Sequence, residues 1–390
     1  MGGVSLPSVA LPFETPSVAE LRARGSQKWS AFPGAIGAFV AEMDFGLAPV
    51  VRDVLRREVD LGRTGYLPAA AGAALAEATA AWTAERFGWA VRPEQVRPIA
   101  DVLTGLDLVL RRFSDPTRPV IVPTPAYMPF LAIPQRHGRA IVEVPSAAVD
   151  GRYELDLEGI DRAFAAGADV LVLCNPWNPV GRVLTREELV AVSEVVERHG
   201  GRVFSDEIHA PLVLGEHRHV PYASVSEAAA RHTITAISAS KAFNLPGLKN
   251  AQLILSNPED AARYEEVAGI VAHGASGFGV AANTAAYREG GPWLDAVREY
   301  LDDSAREFGE RLAAALPQVG YRAPEGTYLA WLDARALDLG PAPATTVLER
   351  AGVAVTDGAA CGAPGFLRVV LATPRPVLEE LVDRLGRAFG

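Results

Sequence analysis

The chain is 390 residues long, 49% hydrophobic, and carries a net charge of −10 at neutral pH, which leaves room for one large α/β domain with a smaller companion. Basic residues never run beyond a pair, so the electrostatic footprint of a nucleic-acid partner is missing. With Cys174 and Cys361 as its only cysteines, the chain can build neither a disulfide framework nor a cysteine-based metal site.

The first twenty residues hold no basic segment followed by an apolar one, so no secretory signal is expected and the chain reads as cytoplasmic. Strand-like runs follow at 119–125 (PVIVPTP), 140–145 (AIVEVP), 170–176 (VLVLCNP), 202–209 (RVFSDEIH), 233–240 (TITAISAS) and 251–256 (AQLILS). Each is apolar at consecutive positions, the pattern of strands covered on both faces, and this predicts a mostly parallel sheet. The uncharged stretch 119–135 contains five prolines and cannot form a membrane helix. Between two of the strands, TREELVAVSEVVERHG places Thr185 and Glu188 at capping-box spacing and ends at Gly200 and Gly201, which predicts a crossover helix. From residue 292 the texture changes to a long charged amphipathic helix, strands TYLAWLD and FLRVVLA, and a last helix, PVLEELVDRLGRAF. This predicts a smaller α+β domain, with 334–345 as a flexible surface connection.

In an open parallel sheet, ligands bind outside the carboxyl ends of the strands. Those ends here carry Asn175 and Asn178, then Asp206, Glu207 and His209, then Ser238, Ser240 and Lys241. Lysine is itself scarce: Lys28, Lys241 and Lys249 are the only ones among 37 basic residues. Arginine stays protonated and cannot act as an amine nucleophile, whereas a buried lysine can. Lys241, at a strand end, is therefore the candidate reactive amine.

The stretches NPWNPVG (175–181), SDEIHAPL (205–212) and SASKAFNLPGLK (238–249) resemble the fold-type I pyridoxal-phosphate (PLP) enzymes of the class I/II aminotransferase superfamily. VAEMDF (40–45), GYLP (65–68), TPAYMPF (124–130), EGTYLAWLD (325–333) and FLRVVLATP (366–374) narrow the resemblance to the MalY/PatB-type cystathionine β-lyases, from about residue 15 onward. The resemblance implies a large PLP-binding domain over 51–290 with a mostly parallel seven-stranded sheet. A small C-terminal domain over 291–390 and an N-terminal segment, 1–50, packing with it would complete the chain.

It also implies residue roles. Lys241 would form the Schiff base with PLP and then remove the substrate α-proton, while Asp206 would face the pyridine nitrogen. Asn178 would bond the phenolic oxygen and help bind substrate, Tyr127 would stack on the ring, and His209 stands where many aminotransferases place a tyrosine. Ser238, Lys249 and the amide of Val102 would hold the phosphate. Asp101 departs from the usual glycine there; either it points away or the cup is rebuilt, with Thr104 as a substitute. Cys361 falls where the family often has phenylalanine and would widen the pocket. Arg368 would clamp the substrate α-carboxylate through its two-pronged guanidinium. Tyr66 would reach the PLP phosphate of a neighbouring copy, which makes the protein a homodimer with shared active sites. The implied reaction is α,β-elimination of L-cystathionine or related cysteine S-conjugates to thiol, pyruvate and ammonia. Transamination uses the same residues up to the proton transfer and remains open, as does a regulatory protein-binding role.

Overall fold

The computed structural model describes Phe13, residues 16–149 and residues 151–390. Seven strands form the central sheet: β1 (Val96–Ile99), β2 (Val120–Thr124), β3 (Ile141–Pro145), β4 (Val170–Cys174), β5 (Arg202–Asp206), β6 (Thr233–Ile237) and β7 (Ala251–Leu255). Their spatial order is β1-β7-β6-β5-β4-β2-β3. The five central and far-edge strands, β2 to β6, pair in parallel, and β7 runs antiparallel to both its neighbours. Every residue of β2, β4, β6 and β7 is buried, which is why their sequences are apolar without alternation. Consecutive apolar residues report coverage of both faces and carry no information on direction, so the reversal of β7 could not be read from the pattern.

The predicted crossover helix is present at Arg186–Arg198, with Thr185 accepting from Glu188 N and the Glu188 carboxylate accepting from Thr185 N. Strand β1 escaped the reading because VRPI is not an apolar run. It is an edge strand, where its proline removes a donor at little cost, and Arg97 turns outward to Glu265 at 2.7 Å.

The chain then enters a second layered unit. A helix over Gly291–Ala315 and the last helix, Arg375–Phe389, pack beside a four-stranded sheet of β8 (Gly320–Tyr321), β9 (Leu329–Asp333), β10 (Thr356–Asp357) and β11 (Phe366–Val370). Its order is β8-β9-β11-β10, antiparallel throughout. The core between them holds Phe308, Leu312, Leu332, Val369 and Leu381. Leu21, Trp29 and Ile36 of the N-terminal segment complete the same core. Of the stretch expected to be a flexible connection, Ala334 and Leu339 are buried and Pro343 starts a helix over Pro343–Ala351. Among the described residues, no helix is long and apolar enough to cross a membrane.

The N-terminal segment is tied down by charge as well as by packing. Lys28, on the short helix Gln27–Ser30, is buried against Asp44 at 2.8 Å. The other Asp44 oxygen accepts the Trp29 indole N–H at 2.7 Å. Gly37 makes the close approach possible, since a Cβ there would lie 1.9 Å from the Lys28 carbonyl oxygen.

Candidate active site

A cavity of about 580 Å³ opens at the carboxyl ends of β4, β5 and β6 and is closed on its far side by the small domain and by residues 39–41. This is the crevice in which open α/β sheets bind ligands. Lys241, Asp206, Asn178, Tyr127, His209, Val102, Lys249 and Arg368 all line it, so residues 266 positions apart in sequence, from Val102 to Arg368, meet around one space.

Lys241 follows β6, and its Nζ donates to the Ala41 carbonyl at 2.9 Å. Burial, together with the Arg368 guanidinium, lowers its pKa to about 8. Both effects disfavour the ammonium, so a substantial share of the amine is neutral near physiological pH. Asp206 ends β5 and accepts from Ile208 N at 3.0 Å. Burial pushes its carboxyl up to about 7, against the opposing pull of that hydrogen bond and of Lys241. Glu207, one residue on, points to the opposite face, as strand alternation requires. It accepts from Ser205 Oγ, His219 Nε2 and Tyr222 N at 2.8–3.0 Å and is absent from the cavity wall.

Arg368 lies in the middle of β11 and is 3% exposed. Its guanidinium donates to Asn178 Oδ1 at 2.9 Å, the Phe39 carbonyl at 3.0 Å and Thr356 Oγ1 at 3.2 Å. Nε has no partner, and among the described residues no carboxylate forms an ion pair with this guanidinium. Burial accordingly lowers its pKa. A buried cation surrounded only by neutral acceptors is costly unless an anion joins it.

His209 is fully enclosed, edge-on to Tyr328 at 6.0 Å, with Nδ1 unpartnered. Burial, with Lys241 and Arg368 nearby, holds its pKa well below the usual imidazole value; the ring is neutral. Tyr127 begins the helix Met128–Arg136, and burial raises its phenol above the ordinary range.

At the other end of the cavity Lys249 pairs with Asp101 at 3.0 Å. Asp101 does not leave the site: Oδ1 caps the helix Val102–Leu108 by accepting from Thr104 N and Thr104 Oγ1, both at 2.9 Å. Burial acts to raise its pKa, but the bonds from Thr104 and Lys249 outweigh it and hold the carboxyl low. Lysine and aspartate thus neutralise each other there.

Three expected site residues stand elsewhere. Ser238 is behind the wall: its hydroxyl donates to the Asn250 carbonyl at 2.7 Å and accepts from Ser240 N at 3.0 Å, and of the two serines Ser240 is the one that lines the cavity. Cys361 is also outside the wall. It is fully buried, with burial pushing the thiol up to about 11, and its carbonyl accepts from Ala126 N across the domains at 2.9 Å. Tyr66 is 90% exposed, touches the His273 ring at 5.7 Å, and contributes nothing to this chain's own cavity.

The residues that sequence reasoning missed act largely through their backbone. Phe39 and Ala41 offer their carbonyls to Arg368 and Lys241, and Tyr328 OH shares the Ala41 oxygen at 2.8 Å. Asn244, in the left-handed region at φ 57° that asparagine tolerates, clamps Met43 with hydrogen bonds to its N and O. The motif VAEMDF marks the segment but not these bonds, since no residue type signals a carbonyl contact.

The fit to PLP rests on the donor set: an enclosed amine, an enclosed carboxylate on the floor, a cation beside a helix start at one end, and a counterion-free guanidinium at the other. That set, on a doubly covered and mostly parallel sheet, defines a fold-type I PLP-dependent enzyme. The chain belongs to the aminotransferase class I and II family, whose family model matches residues 40–385. It is 38% identical to a cystathionine beta-lyase of Corynebacterium glutamicum, over 95% of this chain and 98% of that protein. The cystathionine beta-lyase PatB of Bacillus subtilis is 33% identical over 91% of this chain and 92% of its own. The crystal structure of the PLP-bound C-S lyase from Staphylococcus hominis superposes with a TM-score of 0.88 at 27% identity, covering 94% of this chain and 96% of that one.

Proposed function

We propose that the chain is a PLP-dependent carbon–sulfur β-lyase, cleaving L-cystathionine or related cysteine S-conjugates to a thiol, pyruvate and ammonia. The observation that carries the reading is the buried Arg368 without a counterion, sharing one cavity with the enclosed Lys241 amine. An α-amino acid supplies the missing anion.

Lys241 would hold the cofactor through its amine, Asp206 would face the ring nitrogen, and Tyr127 would cover the ring. Asn178 and the neutral His209 would hold its phenolic oxygen, and Lys249, the amide of Val102 and the Ser238–Ser240 turn would hold its phosphate. Bound PLP supplies a carbonyl carbon for the substrate amine and a conjugated ring for the electron pair at Cα. Arg368 grips the α-carboxylate with two parallel N–H donors, a task in which Asn178 already orients one prong. Lys241, once its amine is free, takes the α-proton. The Ala41 carbonyl gives that amine a fixed acceptor, which limits its wandering and raises its effective concentration at Cα. The β-thiolate leaves, and the released 2-aminoacrylate hydrolyses to pyruvate and ammonia.

The functional unit is a cytoplasmic homodimer in which Tyr66 enters the other copy's site. What supports this is the exposure of Tyr66 together with that of Leu61, Val59 and Ile270, apolar side chains that association would cover.

The test is release of pyruvate and free thiol from L-cystathionine or S-ethyl-L-cysteine by PLP-loaded protein with no keto acid added. Equimolar products establish the lyase. Conversion of the cofactor to its amine form without pyruvate would assign the protein to transamination instead.

A further inference from the structure

The charges on the cavity wall can be accounted for one by one. Its cationic side chains are Lys241, Lys249 and Arg368, and its acidic ones are Asp101 and Asp206. Lys249 and Asp101 pair with each other, Lys241 and Asp206 attend the cofactor, and Arg368 takes the α-carboxylate. Glu42 is close enough to influence Lys241 but does not line the wall. Among the described residues that line the wall, no further charged group remains for the far end of a substrate.

Beyond Asn178 and Thr356, which bond Arg368, the wall there offers neutral and apolar residues. Phe39, whose carbonyl holds the guanidinium, lines the cavity with Val355 and Met128, and the neutral Gln27 lines it as well. Phe32 extends the lip, edge-on to Phe39 with centroids 5.1 Å apart. Of the cations beside Tyr66, Arg63 is paired with Glu58 at 3.0 Å.

Resting on the lyase reading, we infer that the β-substituent this site selects is uncharged and apolar, an S-alkyl or S-aryl cysteine. A second amino-acid terminus, as in cystathionine, or a second carboxylate, as in S-carboxymethylcysteine or aspartate, would be stripped of water against these walls without a partner. A site discriminates strongly against a group it leaves unpaired.

The experiment compares kcat/KM of the PLP-loaded protein for S-ethyl-, S-benzyl- and S-carboxymethyl-L-cysteine and L-cystathionine, reading pyruvate. The two uncharged conjugates are expected to exceed the two charged ones by at least about tenfold, and Gln27→Arg to narrow that ratio several-fold by adding a cation at the lip. Equal rates, or faster cleavage of a charged conjugate, overturn the inference and leave the lyase reading intact. Pyruvate from none of the four overturns the lyase reading itself. Even then, binding of L-norleucine against L-glutamate, followed by the change in the visible band, decides the charge preference: tighter norleucine sustains it and tighter glutamate removes it.

Discussion

Replacing Asp44 with alanine should destabilise the protein far more than an ordinary loop substitution. The carboxylate receives Lys28 Nζ at 2.8 Å and Trp29 Nε1 at 2.7 Å, and the side chains of the ion pair are 0% and 3% exposed. Without it, Lys28 keeps only the Glu42 and Ala372 carbonyls, each at 3.4 Å. Breaking one side of a buried pair costs about 3–5 kcal/mol, because the other charge is left unpaired. Losing the indole hydrogen bond is part of the same deletion, so we expect about 4 kcal/mol in total. Urea unfolding followed by tryptophan fluorescence measures it, since Trp29 lies within the small-domain core. Lys28→Met in the Asp44→Ala background should recover at least about 2 kcal/mol of the summed single losses, because it removes the stranded charge. A loss below about 1 kcal/mol in Asp44→Ala, or strict additivity of the pair, would refute the reasoning.

Lys241→Ala should abolish the yellow band of the loaded protein and lower turnover by at least about 10²-fold, whereas Lys249→Arg should keep the band; absorbance after borohydride reduction and denaturation reports which lysine carries the cofactor. In cofactor-free protein, the rate at which Lys241 captures PLP should rise with pH to a half-maximum near 8, the value to which burial and Arg368 lower the amine, and Arg368→Met should move that midpoint upward. Asp206 has the opposite sign: its folded-state value of about 7 lies above the unfolded 3.8, so its contribution to stability is intact below about pH 4 and is lost as pH rises to about 7. Asp206→Asn should flatten that part of the pH–stability profile of the cofactor-free protein, as seen in its melting temperature at pH 5 and pH 8.

Much of the site was legible because its chemistry is bound to residue type. Lys241 cannot be arginine, Asp206 stands at a strand end, and an arginine amid FLRVVLA has few explanations besides an anionic ligand. Other features left no such trace. The carbonyls of Phe39 and Ala41 could belong to any residue, and the small-domain segment that meets them approaches from more than 280 positions away. Ser238 and Ser240 both read as loop hydroxyls after β6, and only the turn geometry decides which faces the cavity. Asp101 looked unsuited to a phosphate cup because its partner, Lys249, is brought to it by the pairing of β1 with β7, an antiparallel contact that the apolar pattern could not specify. Lys28 was visible as a rare residue, but its reason for being lysine lies 16 positions away at Asp44. There a compact ammonium fits among one carboxylate oxygen and two carbonyls, where a flat fork would not.

The scarcity of lysine also has a practical side. Lys28 is sealed in the core and Lys241 lies at the bottom of a cleft, while the side chain of Lys249 is 59% exposed. Among the described residues, an amine-reactive dye added to the native protein therefore has one ready target, at the rim of the proposed phosphate cup. Labelling at that residue, located by peptide mapping apart from the α-amine, should fall as cofactor enters and so reports occupancy without any engineered tag. A lysine-specific protease acting on the denatured chain cuts after three positions only, and a modified lysine blocks its own cut, so each missed cleavage identifies one site.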